Sequence, residues 1–311
     1  MSITSIIDYN NPNFKGYRTS LRKIQKPKIN NTSDIKIYPK TLNYAIVGSA
    51  YDYLFRFTLE RNFPTFIKGK KNWVSENAIR FLENDSIISD DVPSIENHFQ
   101  RIEKKKELYQ QVKSRFEYIQ KVFYFNYING YSKLDNEIIG SCLFLAKLDY
   151  LVRTGYDDLF DWQSLFYEDK DDIEDLKQLI NSTDFKKFKP RSRIILNPVF
   201  GVASKLVGGA DADLIIDSAL IDIKASKQLI ITRQYFNQIL SYYFLHLIES
   251  RSNGEEITIK KLGFYFARFS KLIVFSVASL NNPEYFDDSI EILKDEIAAS
   301  KIASKTLKAV K

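Results

Sequence analysis

Acidic residues alternate with apolar ones in two short segments that a tight turn could join into a β-hairpin. Asp211 and Asp213 precede the turn, and Asp222 and Lys224 follow it. With Asp217-Ser218 as a two-residue loop, Asp213 faces Asp222 and Asp211 faces Lys224. Successive strand residues point to opposite faces of a sheet, so these four polar side chains share one face. A four-residue loop keeps this register, whereas a three-residue loop would divide the polar set between both faces.

The two opposed carboxylates, Asp213 and Asp222, need a compensating positive charge. Directly opposed Cβ atoms lie about 4.5–5.5 Å apart, where like charges repel each other, and burial increases the cost. Lys224 supplies one charge, and a hard divalent cation, Mg²⁺ or Mn²⁺, would supply the rest. Such a cation would make the carboxylate pair a metal site. Taken alone, however, the hairpin pattern is more typical of a solvated polar sheet face with a cross-strand salt bridge.

The hairpin belongs to a β-rich part of the chain that follows a helical part. Apolar residues recur at helical spacing from about residue 43, and residues 65–185 are predicted to form a helical block. Predicted strands and helices then alternate: strands at about 193–201, 205–216 and 219–225, a helix over 232–249, strands at 257–268 and 272–278, and a C-terminal helix. This order predicts an α/β (α+β) fold with a central mixed β-sheet flanked by helices.

Residues 1–42 are polar, contain Pro12, Pro27 and Pro39, and show no sustained period. They are predicted to form an extended N-terminal arm.

The composition excludes several classes of protein. The 311 residues are 44% hydrophobic and 14% aromatic, which excludes an intrinsically disordered chain. The single cysteine, Cys142, excludes a disulfide framework and an iron–sulfur cluster. No segment has the length and composition of a transmembrane helix or a signal peptide, so we expect a cytoplasmic protein with no membrane partner.

The net charge of +6 is concentrated in short basic runs. One run lies just before the first predicted strand and is a candidate DNA-binding segment: Lys186, Lys187, Lys189, Arg191 and Arg193. Another run lies in the N-terminal segment: Lys15, Arg18, Arg22, Lys23, Lys26 and Lys28. Either run could instead be ordinary solvated surface.

The pattern of Asp213 followed by Asp222-Ile223-Lys224 resembles the PD-(D/E)XK nuclease superfamily, and its RecB-like branch in particular. That branch carries a Gly-x-x-x-His motif on an N-terminal helix, and here Gly48 to Asp52 stands in its place, with Asp instead of His. Its Gly-rich lead into the metal-binding Asp matches Gly209 to Ile216. Its helical Gln-x-x-x-Tyr motif matches Gln238 to Tyr242.

The resemblance implies a restriction-endonuclease-like core in residues 43–311, with a helical insertion at about 65–185 and a catalytic sheet at about 190–280. It implies a deoxyribonuclease dependent on Mg²⁺ or Mn²⁺. Four residues are the implied metal ligands, the last through its carbonyl oxygen: Asp52, Asp213, Asp222 and Ile223. Lys224 would orient the attacking water, and Gln238 and Tyr242 would complete the catalytic group with Asp213 and Asp222.

Alternatives remain open both for the roles of single residues and for the function of the whole protein. Asp52 could pair with Arg56 on the surface of its helix, and Gln238 and Tyr242 could belong to a face packed on the sheet. The chain could be an inactive nucleic-acid-binding protein with the same fold. It could also be a helical interaction scaffold that binds protein partners through the helical insertion.

Overall fold

The computed structural model describes residues 2–28, 33–69, 73–87, 95–154, 162–253, 257–280 and 284–309. The chain divides into two compact units. The sheet unit comprises Met1–Asp34 and Pro190–Lys311, and the helical unit comprises Ile35–Lys189.

Five strands form a single mixed sheet in the sheet unit, in the order β1-β2-β3-β4-β5. They are β1 (Ile194–Leu196), β2 (Leu214–Ile216), β3 (Ala219–Lys224), β4 (Lys261–Phe266) and β5 (Lys271–Ser276). The β3–β4 pair is parallel, and the other three pairs are antiparallel. A mixed α/β fold with a central sheet flanked by helices is therefore confirmed.

Helices cover most of the remaining described chain, and none of those in this part is long and apolar enough to cross a membrane. They are α1 (Ile3–Ile7), α2 (Lys15–Lys23), α3 (Tyr44–Asn62), α4 (Ser75–Ile87), α5 (Ile95–Tyr118), α6 (Phe125–Ile128), α7 (Asn136–Thr154), α8 (Lys170–Asn181), α9 (Gly201–Leu206), α10 (Arg233–Asn253) and α11 (Glu284–Ala309). α10 connects the parallel strands β3 and β4, which require such a crossover.

The hairpin register predicted from the sequence is confirmed over the β2–β3 ladder. Leu214 pairs with Ile221 and Ile216 pairs with Ala219, leaving a two-residue loop. The predicted extension of the ladder to Asp211 and Lys224 is wrong, because Asp211 forms an isolated bridge with Val199 instead. Backbone hydrogen bonds from Asn197 to Asp213 and from Ala212 to Pro198 hold this segment beside residues 197–199.

Asp217 fixes the hairpin turn to the segment that enters β1. Its backbone is left-handed, with φ 53°, a conformation that Asp tolerates better than most residues. Its carboxylate accepts hydrogen bonds from the backbone N–H groups of Arg191, Ser192 and Arg193 at 2.8–3.2 Å. Burial alone would raise the pKa of Asp217, but these hydrogen bonds outweigh it and lower the pKa.

The prediction of an extended N-terminal arm is wrong over residues 3–23, because residues 3–7 and 15–23 form α1 and α2. The apolar residues of this segment are buried at helical spacing: Ile3, Ile6, Ile7, Phe14, Tyr17 and Leu21. The prolines suggest a chain without helices. Pro12, however, begins a short 3-10 helix, at a position where the missing backbone N–H removes no helical hydrogen bond. α1 packs on α10, and α2 packs on α11.

The helical unit is built around α3, which packs against α7 and α8. It begins at Ile35, well before the predicted insertion at about 65, and includes the helix that carries Gly48 and Asp52. The long predicted helix is present as α5, although its predicted start at Pro93 lies outside the described residues. Residues 201–206, predicted to lie in or beside strands, are helical.

Glu296 of α11 holds the start of α2 in place. Its carboxylate accepts hydrogen bonds from the N–H groups of Gly16, at 2.8 Å, and Tyr17, at 3.0 Å. These donors have no partner within their own helix, because they lie in its first turn. A Cβ at Gly16 would lie 2.6 Å from the Glu296 Oε1 atom, so a larger residue there would displace the carboxylate from this position.

We expect Glu296→Ala to lower the free energy of unfolding by about 1–2 kcal/mol, because two N–H groups lose their acceptor. Urea denaturation measures this change, and faster hydrogen exchange at Gly16 and Tyr17 locates it. Glu291→Ala is the matched control, since Glu291 is an exposed residue of the same helix that pairs only with Lys294 in the described structure. Equal losses in both variants would contradict the capping role of Glu296.

Candidate metal and catalytic site

The two predicted carboxylate ligands lie beside each other at the end of the β2–β3 hairpin. Asp222 is in β3 and only 3% exposed. Asp213 directly precedes β2, and its Oδ2 atom accepts a hydrogen bond of 2.6 Å from the backbone N–H of Ile223. The charge of Asp213 therefore acts on Asp222 at short range.

Asp222 carries a strongly perturbed carboxyl group. Burial raises its pKa to about 7; the charge of Lys224 opposes this rise, and the charge of Asp213 adds to it. Its buried Oδ2 atom accepts no hydrogen bond of good geometry, although the Nζ atom of Lys224 lies 2.7 Å away as an ion-pair partner. A buried carboxylate with this little compensation favours either a proton or a further cation.

Lys224 is held from three sides. Besides the ion pair with Asp222, its Nζ atom donates a hydrogen bond of 3.0 Å to Gln238 Oε1. It also lies 4.7 Å from the ring centroid of Tyr235, a cation–π distance. Burial would lower the pKa of Lys224, but the charges of Asp222 and Asp213 outweigh it and raise the pKa. Lys224 therefore stays charged at neutral pH.

Gln238 and Tyr242 lie one turn apart on α10 and join the same network. Gln238 Nε2 donates a hydrogen bond of 3.1 Å to the hydroxyl oxygen of Tyr242. Burial raises the pKa of Tyr242, and the charges of Asp222, Asp213 and Asp211 raise it further. The Tyr242 hydroxyl thus remains protonated near a cluster of acids. The contacts connect Asp222, Lys224, Gln238 and Tyr242 in one continuous chain.

The donor set fits Mg²⁺ or Mn²⁺ with two protein carboxylates. In the described ranges no group of three or more His, Cys, Asp or Glu side chains could enclose a metal ion. Mg²⁺ does not require one, since it is usually held by one or two carboxylates, with water and substrate phosphate completing the shell. Asp213 and Asp222 supply such a pair. A role for the Ile223 carbonyl oxygen stays a prediction.

Asp52 belongs to a different set of contacts, in the helical unit. Its Oδ2 atom lies 2.6 Å from the Arg56 guanidinium, as the alternative interpretation of the sequence expects. The pair is largely buried, not on the helix surface, because the Arg56 side chain is 6% exposed and lies over the ring of Tyr53. Removing Asp52 would therefore weaken the fold of this unit. Its role as a metal ligand stays a prediction.

The predicted DNA-binding run is divided between the two units after Lys189. Four of its side chains are exposed: Lys186, Lys187, Lys189 and Arg191. Arg193 is half-buried. Their role in binding DNA also stays a prediction.

Sequence patterns did not reveal two contacts of α10, one at the site and one on its buried side. Tyr235 contacts Lys224, and its position three residues before Gln238 on α10 could have indicated it. Tyr17 of α2 forms a buried hydrogen bond of 2.7 Å with the hydroxyl of Ser241, next to Tyr242. No local pattern signals the second contact, because it joins residues 224 positions apart.

We expect Asp222→Asn to stabilise the metal-free protein in a pH-dependent way. The folded-state pKa of about 7 lies above the ordinary 3.8, so the folded protein binds the proton more tightly and loses stability as pH rises between these values. Asn cannot ionise. The stability advantage of the variant should therefore grow from about pH 4 to 7 and then level off.

Urea denaturation in EDTA across this pH range measures the difference. Asp295→Asn, at an exposed position of α11, should show no comparable rise. A difference between Asp222→Asn and the parent that does not depend on pH would contradict the perturbed carboxyl group.

Comparison of the chain with known proteins gives no relative to which this site can be matched. No protein-family model, no curated protein and no solved structure matches it with significance.

Proposed function

We propose that the protein is a metal-dependent nuclease that hydrolyses phosphodiester bonds, with DNA as its substrate and a restriction-endonuclease-like core. The observation that carries the proposal is the contact chain from Asp222 through Lys224 and Gln238 to Tyr242. Asp213 adjoins it through the N–H of Ile223. Structural packing alone does not require a buried Asp, Lys, Gln and Tyr to meet beside a second carboxylate.

Asp213 and Asp222 would hold Mg²⁺ or Mn²⁺. When bound, the metal would neutralise phosphate charge and make a water molecule more acidic. The perturbed pKa of Asp222 supports this role, because a cation relieves the cost of burying its charge.

Lys224 supplies a fixed positive charge at the site. Its Nζ atom is held by Asp222 and Gln238, so it can donate to an attacking water or to a phosphate oxygen without first reorganising. Donors that are already aligned stabilise developing negative charge more effectively than mobile ones.

Gln238 and Tyr242 position Lys224 and bound substrate. The Gln238 amide accepts from Lys224 and donates to Tyr242, which determines its orientation. Tyr242 keeps its proton, because burial and the nearby acids raise its pKa. Its hydroxyl can therefore donate to a phosphate oxygen at neutral pH, while accepting from Gln238.

We expect Asp222→Ala and Lys224→Ala each to reduce cleavage at least about 100-fold, the usual effect of removing a group that stabilises the transition state. Cleavage is measured on plasmid and single-stranded DNA with Mg²⁺ or Mn²⁺, and should stop in EDTA. Lys177→Ala is the control, since Lys177 is an exposed residue of the helical unit.

Cleavage by Lys224→Ala at the parental rate would show that the site is assigned wrongly. DNA binding without cleavage by the parent protein, under every metal condition, would instead favour the inactive nucleic-acid-binding protein. Neither cleavage nor binding would favour the helical scaffold.

We also expect saturating Mn²⁺ to raise the melting temperature by about 5 °C, because the ion binds the folded carboxylate pair and has little affinity for the unfolded chain. The rise should vanish in Asp213→Asn/Asp222→Asn. An equal rise in the double variant would place Mn²⁺ elsewhere on the protein.

A further inference from the structure

A cavity of about 380 Å³ opens between residues 9–12 and one face of α2 in the sheet unit. Three cationic side chains line it, Lys15, Arg18 and Arg22, together with the ring of Tyr9. No acidic residue contributes to the lining. We call this cavity the N-terminal basic groove.

Arg18 is the most unusual residue of the groove. It is only 6% exposed, yet within the described part of the chain its guanidinium donates a single hydrogen bond, to the carbonyl oxygen of Ile6 at 3.2 Å. A guanidinium has five N–H donors, and buried charges are normally paired. No carboxylate pairs with Arg18 among the residues that the structure describes. A buried, uncompensated cation that faces a cavity indicates an anionic ligand.

The other two cations extend the same surface. Lys15, Arg18 and Arg22 have the spacing i, i+3 and i+7, which aligns them along one face of α2 over about 10 Å. Arg22 lies over the Tyr9 ring, 5.3 Å from its centroid, and Lys15 is exposed. Successive phosphates of one duplex strand are separated by about 3.4 Å along the duplex axis. The row therefore matches a run of backbone phosphates better than one isolated anion.

The groove adjoins the helix that carries Gln238 and Tyr242. Arg233, at the start of α10, donates a hydrogen bond of 3.0 Å to the carbonyl oxygen of Ile24. α10 also packs against α1 and α2, the two helices nearest the groove. Gln238 follows Arg233 by five residues, about 7.5 Å along the helix axis.

We propose that the N-terminal basic groove binds the phosphate backbone of nucleic acid and guides the strand toward the Asp222–Lys224 site. The placement of the strand rests on the proposed nuclease function, whereas binding in the groove does not. Tyr9 adds an exposed aromatic ring beside the cations, on which a base of a single strand can stack.

The test is binding of fluorescent single-stranded and duplex DNA to the full chain in EDTA, followed by anisotropy at several salt concentrations. Lys15→Gln/Arg22→Gln should weaken binding at least about tenfold and reduce the slope of log K against log salt by about 1–2. Lys15→Arg/Arg22→Lys keeps both charges and should bind as the parent does. Both positions are exposed, so the fold is expected to persist.

Lys170→Gln/Lys177→Gln is the matched control. It removes two exposed lysines with the same i, i+7 spacing from α8 of the helical unit. Equal weakening by the control and the groove variant would overturn the proposal, as would parental binding by the groove variant. Binding to phosphatidylserine vesicles is measured for the parent and the groove variant as well. If the groove variant loses vesicle binding but binds DNA as the parent does, the proposal is overturned and the groove is a membrane-binding surface.

The proposal and the nuclease function fail separately. If the parent binds DNA through the groove but never cleaves it, the groove is supported and the nuclease is not. If the parent cleaves DNA and the groove variant binds as the parent does, the nuclease stands and the groove is overturned.

Discussion

The site depends on one electrostatic constraint, the burial of Asp222 beside Asp213. A carboxylate removed from water and next to another carboxylate must find positive charge, accept a proton, or lose its place in the fold. Lys224 meets part of the requirement, and Gln238 and Tyr235 then fix the lysine. The orientation of the whole network follows from the need to balance that one charge.

The backbone holds the carboxylates in position independently of the network. The β2–β3 ladder places its residues in pairs, so a shift of one residue would turn Asp222 into the apolar face. Asp217 prevents such a shift by binding three successive N–H groups of the segment before β1. The hairpin turn, β1 and the carboxylates are therefore positioned together. Because successive side chains of a strand point to opposite faces, Asp222 lies on one face of the sheet and Leu214 and Ile221 lie on the other.

Local periodicity in the sequence predicts much of this arrangement. The alternation around Asp217-Ser218 gives the register of β2 and β3, and the i, i+4 spacing brings Gln238 and Tyr242 to one side of α10. Long-range contacts are not predicted in the same way. α2 depends on contacts with Glu296 and Ser241, which lie far along the chain. The position of Asp213 depends on backbone hydrogen bonds between residues 212–213 and residues 197–198. The alternation of residues within one strand cannot predict such bonds.

The sheet unit is discontinuous in sequence, and this determines when it can form during synthesis. Residues 35–189 emerge from the ribosome as a complete helical unit, with its contacts local in the chain. Residues 16 and 17 must wait for α11 and α10, because the acceptor for Gly16 is translated 280 residues later and the partner of Tyr17 is translated 224 residues later. A truncated chain lacking α11 would therefore keep its helical unit while leaving the first turn of α2 without its acceptor.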